Sequence, residues 1–194
     1  MVKTKIAVLV SGGGTNLQAL LDAQAAGKIP HGEIALVISN KEGAYALTRA
    51  ENFGVKHMVI TGPDFEANLQ KALEENHIQM IVLAGFMKIL SGAFTSRWPE
   101  RILNIHPALI PSFCGEGYYG LRVHEEALRY GVKVTGATVH FVNEIPDGGK
   151  IIAQKAVDIE DGDTPEILQR RVMEQAEWIL LPKAVEIVAE MLSK

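Results

Sequence analysis

Two polar side chains interrupt an otherwise apolar segment. Ile102, Leu103 and Ile105 read as a short buried strand, with Asn104 and His106 set two residues apart within it. A strand alternates its side chains, so both point to one face. Pro107 then stops the ladder, because it has no N–H to donate. An amide and an imidazole are thereby delivered to the carboxyl end of a strand, where open α/β sheets bind ligands. Asp147 follows in the turn from Glu144 to Gly149, after the next long strand. A carboxylate reaching the same crevice would raise the pKa of His106 and hold an imidazolium near neutral pH. Amide, imidazolium and carboxylate together suit acyl-type transfer: the first two stabilise an oxyanion, and the Asp–His pair moves protons. The plainer readings are satisfied polar groups at a strand end for Asn104 and His106, and a turn former for Asp147.

Other chemistries find less support. Cys114 has no histidine beside it in sequence, and no G-x-S-x-G elbow occurs, so attack is expected from the substrate itself. The six histidines form no H-x-x-x-H or H-x-H pair, and no metal site is expected. His140 alternates onto the strand face of Thr138, either supporting the reactive groups or as a satisfied buried histidine.

The elements that must position these residues alternate between strand and helix. Ile6 to Val10 is an apolar, β-branched run that reads as a central parallel strand. The turn Ser11-Gly12-Gly13-Gly14-Thr15-Asn16 follows, and Leu17, Leu20 and Leu21 then recur at helical spacing. Strand, glycine-rich turn and helix form the context a phosphate site needs, since free N–H groups at the helix start point at the anion. The turn is neither a full dinucleotide fingerprint nor a P-loop, and a merely tight βα turn is the alternative. Strands over 34–39, 55–60 and 78–84 alternate with helices over 45–53 and 64–76. Phe86 and Met87, after the fourth strand, either line an apolar pocket or belong to a helix packed into the core. The stretch from Ser112 to Gly120 is irregular and reads as a mobile loop over a site. Residues 124–130 read as a helix, 132–143 as a strand with one polar face, and 151–157 as its antiparallel partner. Asp163-Thr164-Pro165-Glu166 starts a long helix, bent near Pro182. The expected fold is α/β: a Rossmann-like open sheet, mostly parallel with an antiparallel edge, and helices on both faces.

A length of 194 residues fits one large domain or two small ones, and a single domain over 1–194 is expected. A net charge of -4 argues against a general nucleic-acid binder. A single cysteine excludes an internal disulfide, which fits a cytoplasmic protein. The first residues lack the pattern of a signal peptide, and no window reaches the length of a membrane span.

Four segments occur in order: Ser11 to Gln18, Leu83-Ala84-Gly85-Phe86-Met87-Lys88-Ile89-Leu90, Leu103 to Pro111, and His140-Phe141-Val142 followed by Asp147-Gly148-Gly149. Over essentially its whole length the chain resembles the phosphoribosylglycinamide formyltransferase (glycinamide ribonucleotide transformylase) family of folate-dependent formyltransferases. The resemblance implies formyl transfer from 10-formyltetrahydrofolate, a cosubstrate, to the amine of glycinamide ribonucleotide in purine biosynthesis, without a metal. It implies a catalytic trio of Asn104, His106 and Asp147, with His106 the proton donor and Asp147 raising its pKa. Gly14, Thr15 and Asn16 match the phosphate-holding positions. Met87, Lys88, Ile89 and Leu90, with Asn104, match the folate side, and Glu177 an acid contacting the glycinamide substrate. Residues to about 100 would form the phosphate-binding half, and about 101–194 the catalytic and folate-binding half. Nucleic-acid and membrane partners are not implied, and monomer and homodimer both stay open.

The chain departs from the family pattern in three places. Lys88 stands where many members have Arg, exchanging a bidentate contact for a point charge. Pro63 to Asn68 contain no basic residue, where the family carries a folate-side arginine. The loop from Phe113 to Gly120 is longer than the common form. Formyltetrahydrofolate deformylase, with a regulatory domain before the first strand, and methionyl-tRNA formyltransferase, with a nucleic-acid-binding domain after the core, are the neighbouring alternatives. A non-catalytic nucleotide-binding module would explain the glycine turn alone.

Overall fold

A computed structural model describes residues 2–194. Seven strands form one sheet in the order β3-β2-β1-β4-β5-β6-β7. They are β1 (Thr4–Val10), β2 (Gly32–Ser39), β3 (His57–Val59), β4 (Met80–Leu83), β5 (Ile102–His106), β6 (Val134–Phe141) and β7 (Ile151–Asp158). The first five run parallel, and β6 and β7 add the antiparallel edge. The central strand β1 is dry on both faces, which explains its unbroken apolar run. Ile6, Val8 and Val10 enter one core, while Ala7 and Leu9 enter the other.

The first core is covered by α1 (Thr15–Ala25), α2 (Tyr45–Asn52) and α7 (Trp178–Leu192), and the second by α3 (Phe65–Glu75) and the short α4 (Gly92–Thr95). Helices therefore lie on both faces, as the alternating pattern predicts. The chain winds outward from β1 through β2 to β3, then returns across the sheet to β4. Its direction reverses between β1 and β4, which opens a crevice at their carboxyl ends. α5 (Leu121–Tyr130) joins β5 to β6. Among the described residues no helix is long and apolar enough to cross a membrane.

Of the two readings left open for the segment after β4, the helix does not form: Gly85 to Leu90 is irregular. Gly85 takes φ 69, which turns the chain at the end of β4. Leu90 is buried in the second core and Phe86 packs against it, while Met87 and Ile89 stay exposed. The last helix is interrupted ahead of Pro182. A π turn over Met173–Glu177 separates α6 (Pro165–Val172) from α7, and Pro182 sits inside α7. At the start of α6, the Thr164 hydroxyl accepts from the Ile167 N–H at 3.3 Å, and Pro165 occupies the first turn.

Candidate active site

One crevice of about 940 Å³ runs along the carboxyl ends of β1, β4 and β5. Its walls are the glycine turn from Gly12 to Asn16, the segment from Leu83 to Leu90, and Asn104 to Pro107. The turn bearing Asp147, the loop from Gly115 to Gly120, and Glu177 complete it. Every expected site residue lines this one space.

Strand pairing builds the reactive centre. Asn104 lies opposite His140, and His106 opposite Thr138, in the antiparallel β5–β6 ladder. Opposed residues share a face, so Asn104, His106, Thr138 and His140 lie on the same side. Thr138 is fully buried; its hydroxyl donates to the carbonyl of Ala108 at 2.7 Å and accepts from the Ile110 N–H at 3.1 Å. That pair of bonds ties the segment after Pro107 back onto β6.

Asp147 stands between two histidines. Its Oδ2 lies 3.4 Å from His106 Nδ1, and its Oδ1 lies 3.4 Å from His140 Nε2. The turn needs Asp147 at φ 55, in the left-handed region that aspartate tolerates. Gly149 has no room for a side chain: a Cβ there would fall 1.7 Å from the Phe141 carbonyl oxygen. Turn former and carboxylate in the crevice are thus the same residue. The His140 ring meets the Phe141 carbonyl through Nδ1 at 2.8 Å. Its Nε2 meets the Asn104 amide at 3.2 Å. His140 is therefore both buried and satisfied, and it links Asn104 to Asp147.

Burial reverses one expectation. It pushes the His106 pKa down, and this outweighs the upward pull of Asp147 and of the Phe113 carbonyl, so the resting ring falls below its ordinary value of 6.5. His140 adds to the decrease. The anticipated imidazolium near neutral pH is replaced by a neutral imidazole, because removing the ring from water costs more than one carboxylate at 3.4 Å returns. Burial also pushes the Asp147 carboxyl up, but His140, His106 and the Gly115 N–H outweigh it and hold it below the usual carboxylate range. For Cys114, burial and then Asp147 raise the thiol's pKa, so it carries no activated thiolate.

The loop after β5 reaches back onto the centre. His106 Nε2 donates to the Phe113 carbonyl at 2.8 Å, and the Gly115 N–H donates to Asp147 Oδ2 at 2.9 Å. The Phe113 ring packs against Tyr118 and Tyr130, with centroids 6.4 and 6.1 Å away.

At the other end of the crevice, Gly14 takes φ 74 as α1 begins. The Asn16 amide donates to the buried Glu177 carboxylate at 2.7 Å. The π turn ends at Glu177, and such bulges recur at functional sites. Ser11 ties the two walls together: its hydroxyl donates to Asn40 Oδ1 at 2.7 Å and accepts from the Met87 N–H at 2.8 Å. Lys88 Nζ sits 4.4 Å from the centroid of the Phe65 ring, which itself stacks on Phe86.

His124 escaped the sequence reading as a site residue. It is fully buried on α5, lines the crevice, and neither ring nitrogen has a hydrogen-bond partner among the described residues. Burial, then the positive charge of a protonated His106, lowers its pKa to about 4. Within the reading over 124–130 it is simply the first helical residue, so nothing local marks it. Ser11 had a weak signal, as the polar residue that closes an apolar strand.

The model of the formyl transferase family matches residues 4–185. A relative from Gallus gallus, "Trifunctional purine biosynthetic protein adenosine-3", is 46% identical over 195 residues, covering 96% of this chain and 18% of that protein. The chain thus spans under a fifth of the trifunctional relatives' length. A phosphoribosylglycinamide formyltransferase of Haemophilus influenzae is 43% identical over 192 residues, covering 96% of this chain and 87% of the relative. The crystal structure of glycinamide ribonucleotide transformylase 1 from Symbiobacterium toebii is similar with a TM-score of 0.90 and 41% identity, covering 97% of this chain and 89% of that one.

Proposed function

The chain belongs to the formyl transferase family, and on that premise we propose that it is a phosphoribosylglycinamide formyltransferase of purine biosynthesis. It moves a formyl group from 10-formyltetrahydrofolate to the amine of glycinamide ribonucleotide. The observation that carries this reading is the continuity of the crevice. One space joins a glycine turn suited to a phosphate with an amide, an imidazole and a carboxylate suited to acyl transfer.

In this reading Gly14, Thr15 and Asn16 hold the acceptor's phosphate, and Glu177 accepts hydrogen bonds from its polar groups. The residues from Met87 to Leu90 form the donor's wall. Exposed Met87 and Ile89 supply apolar surface for a flat ring, and Lys88 supplies a positive charge for a carboxylate tail. The donor contributes the formyl carbon and, with the acceptor amine, defines the bond that breaks and the bond that forms. Asn104 Nδ2 donates to the negative charge developing on the formyl oxygen. Neutral His106 is competent to take the proton that the attacking amine releases. Asp147, 3.4 Å away, then stabilises the resulting imidazolium, which returns the proton to the leaving nitrogen. Residues up to about 100 contribute the phosphate turn, and those beyond contribute the reactive trio.

A formyl-transfer assay with glycinamide ribonucleotide and 10-formyltetrahydrofolate tests this, run beside His106→Ala and Asp147→Asn. Product should form with the native chain and fall by roughly 10²–10⁴-fold in the variants, the usual contribution of a positioned acid–base group. Free formate in place of formylated product would identify a hydrolase. Full activity in both variants would remove the trio from the mechanism.

A further inference from the structure

The glycine turn is held from behind by α2. The Ala46 N–H donates to the Gly12 carbonyl at 3.0 Å, and Arg49 Nε donates to the Gly13 carbonyl at 2.8 Å. In a trans peptide the carbonyl and the following N–H point in opposite directions. Fixing these two carbonyls toward α2 therefore directs the Gly13 and Gly14 N–H groups away from it. Neither N–H has a partner among the described residues. The packing agrees with this polarity. A Cβ at Gly14 would lie 2.6 Å from Ala46 Cβ, whereas Cβ atoms at Gly12 or Gly13 would meet nothing within 4 Å. One side of the turn is thus packed on α2 and the other is open.

Arg49 is itself fixed in place. Its Nη1 donates to Gln18 Oε1 at 2.9 Å, on α1, and its guanidinium lies 4.9 Å from the centroid of the Tyr45 ring. The fork spans the turn and the first turn of the helix that follows, so it sets their relative orientation. Its charge stands behind the open N–H groups.

We propose that Arg49 is a positioning residue for the acceptor's phosphate: by holding the Gly13 carbonyl it turns the Gly14 N–H toward the anion. Arg49 recognises the dianionic ester without lining the reactive centre, and it acts on acceptor binding alone. The inference rests on the proposed assignment of the glycine turn to the phosphate. A lysine at this position would keep the charge and lose the fork, so it should restore binding only in part.

The test compares native chain, Arg49→Met and Arg49→Lys with glycinamide ribonucleotide and with the corresponding ribonucleoside, which lacks the phosphate. Losing a charge-assisted hydrogen bond to the turn should raise the ribonucleotide KM about tenfold or more in Arg49→Met, with a smaller rise in Arg49→Lys. Turnover at saturation, the donor KM and the ribonucleoside kcat/KM should stay within about twofold of native, since hydrogen bonds at the trio are untouched. Equal losses with both acceptors, or a fall in kcat at unchanged KM, would overturn the proposal. Titration with ribose 5-phosphate, followed by phosphorus NMR, reads the same clamp without turnover. Weaker binding in Arg49→Met than in native supports the clamp even if no formyl transfer occurs, in which case only the assigned reaction fails. Equal binding in the two overturns the clamp.

Discussion

The amide of Asn16 donates to the carboxylate of Glu177 at 2.7 Å, across 161 residues of sequence. The bond joins the helix after the glycine turn to the π turn near the end of the chain, deep under the crevice. Burial raises the Glu177 pKa above its ordinary 4.5, and the Asn16 bond opposes this only in part. The folded state thus keeps a proton over a range where the unfolded chain has released it. The stability this group contributes is fully present below about pH 4.5 and is lost as pH rises through the folded pKa. Glu177→Gln has no proton to release. Urea denaturation should show equal stability of native and variant near pH 4 and a growing advantage for the variant as pH rises above 4.5. Acceptor kcat/KM should meanwhile fall up to about tenfold, the worth of a hydrogen bond. Parallel pH curves would show an ordinary carboxyl.

Asp147 pulls the His106 pKa upward against burial. Asp147→Asn removes that pull and leaves burial unopposed. The ring should therefore titrate at lower pH in the variant, measured by NMR of labelled histidine, while kcat falls by roughly 10²–10⁴-fold. An upward movement of the titration would contradict the geometry.

His124 contributes to acid sensitivity. Its pKa is about 4 in the folded chain against 6.5 as the ordinary value. A group depressed in this way adds stability above pH 6.5, which is lost as pH falls through about 4. The change corresponds to about 3 kcal/mol when integrated over the window. His124→Leu has no such titration. Its urea midpoint should be nearly flat between pH 7 and 4.5 relative to the native decline, and an unchanged slope would place the acid sensitivity elsewhere.

Gly115 holds φ 88 while its N–H bonds Asp147. Gly115→Ala places a Cβ in the left-handed region at a cost of about 1–2 kcal/mol. The loop should then loosen its hold on Asp147, whose carboxyl loses one of the influences keeping its pKa low. The Asp147 carboxyl should then titrate at higher pH than in the native chain, measured by NMR of labelled aspartate. A titration that stays in place would show that the Gly115 bond does not tune the carboxylate.

Local pattern was enough for much of the fold. The apolar run of β1, the alternation along β6 and the stop at Pro107 each report a choice the backbone makes within a few residues. The register of β6 even put Thr138 and His140 on one face from alternation alone. The segment from Gly85 to Leu90 stayed open between a pocket wall and a packed helix, because its composition fits both; Gly85 at positive φ turns the chain and the segment lines the crevice. The interruption ahead of Pro182 was displaced because a π turn has no compositional mark.

By itself the sequence determined which residue types stand at the strand ends, because side-chain alternation, glycine turns and proline stops are local consequences of covalent geometry. Only the tertiary structure decided how those groups behave. The neutral resting state of His106 is a sum over everything that excludes water from it, and no spacing encodes that sum. Asn16 meets Glu177, and Arg49 meets Gly13, because sheet and helix packing bring distant segments together. The same packing buries His124 with no hydrogen-bond partner for its ring among the described residues.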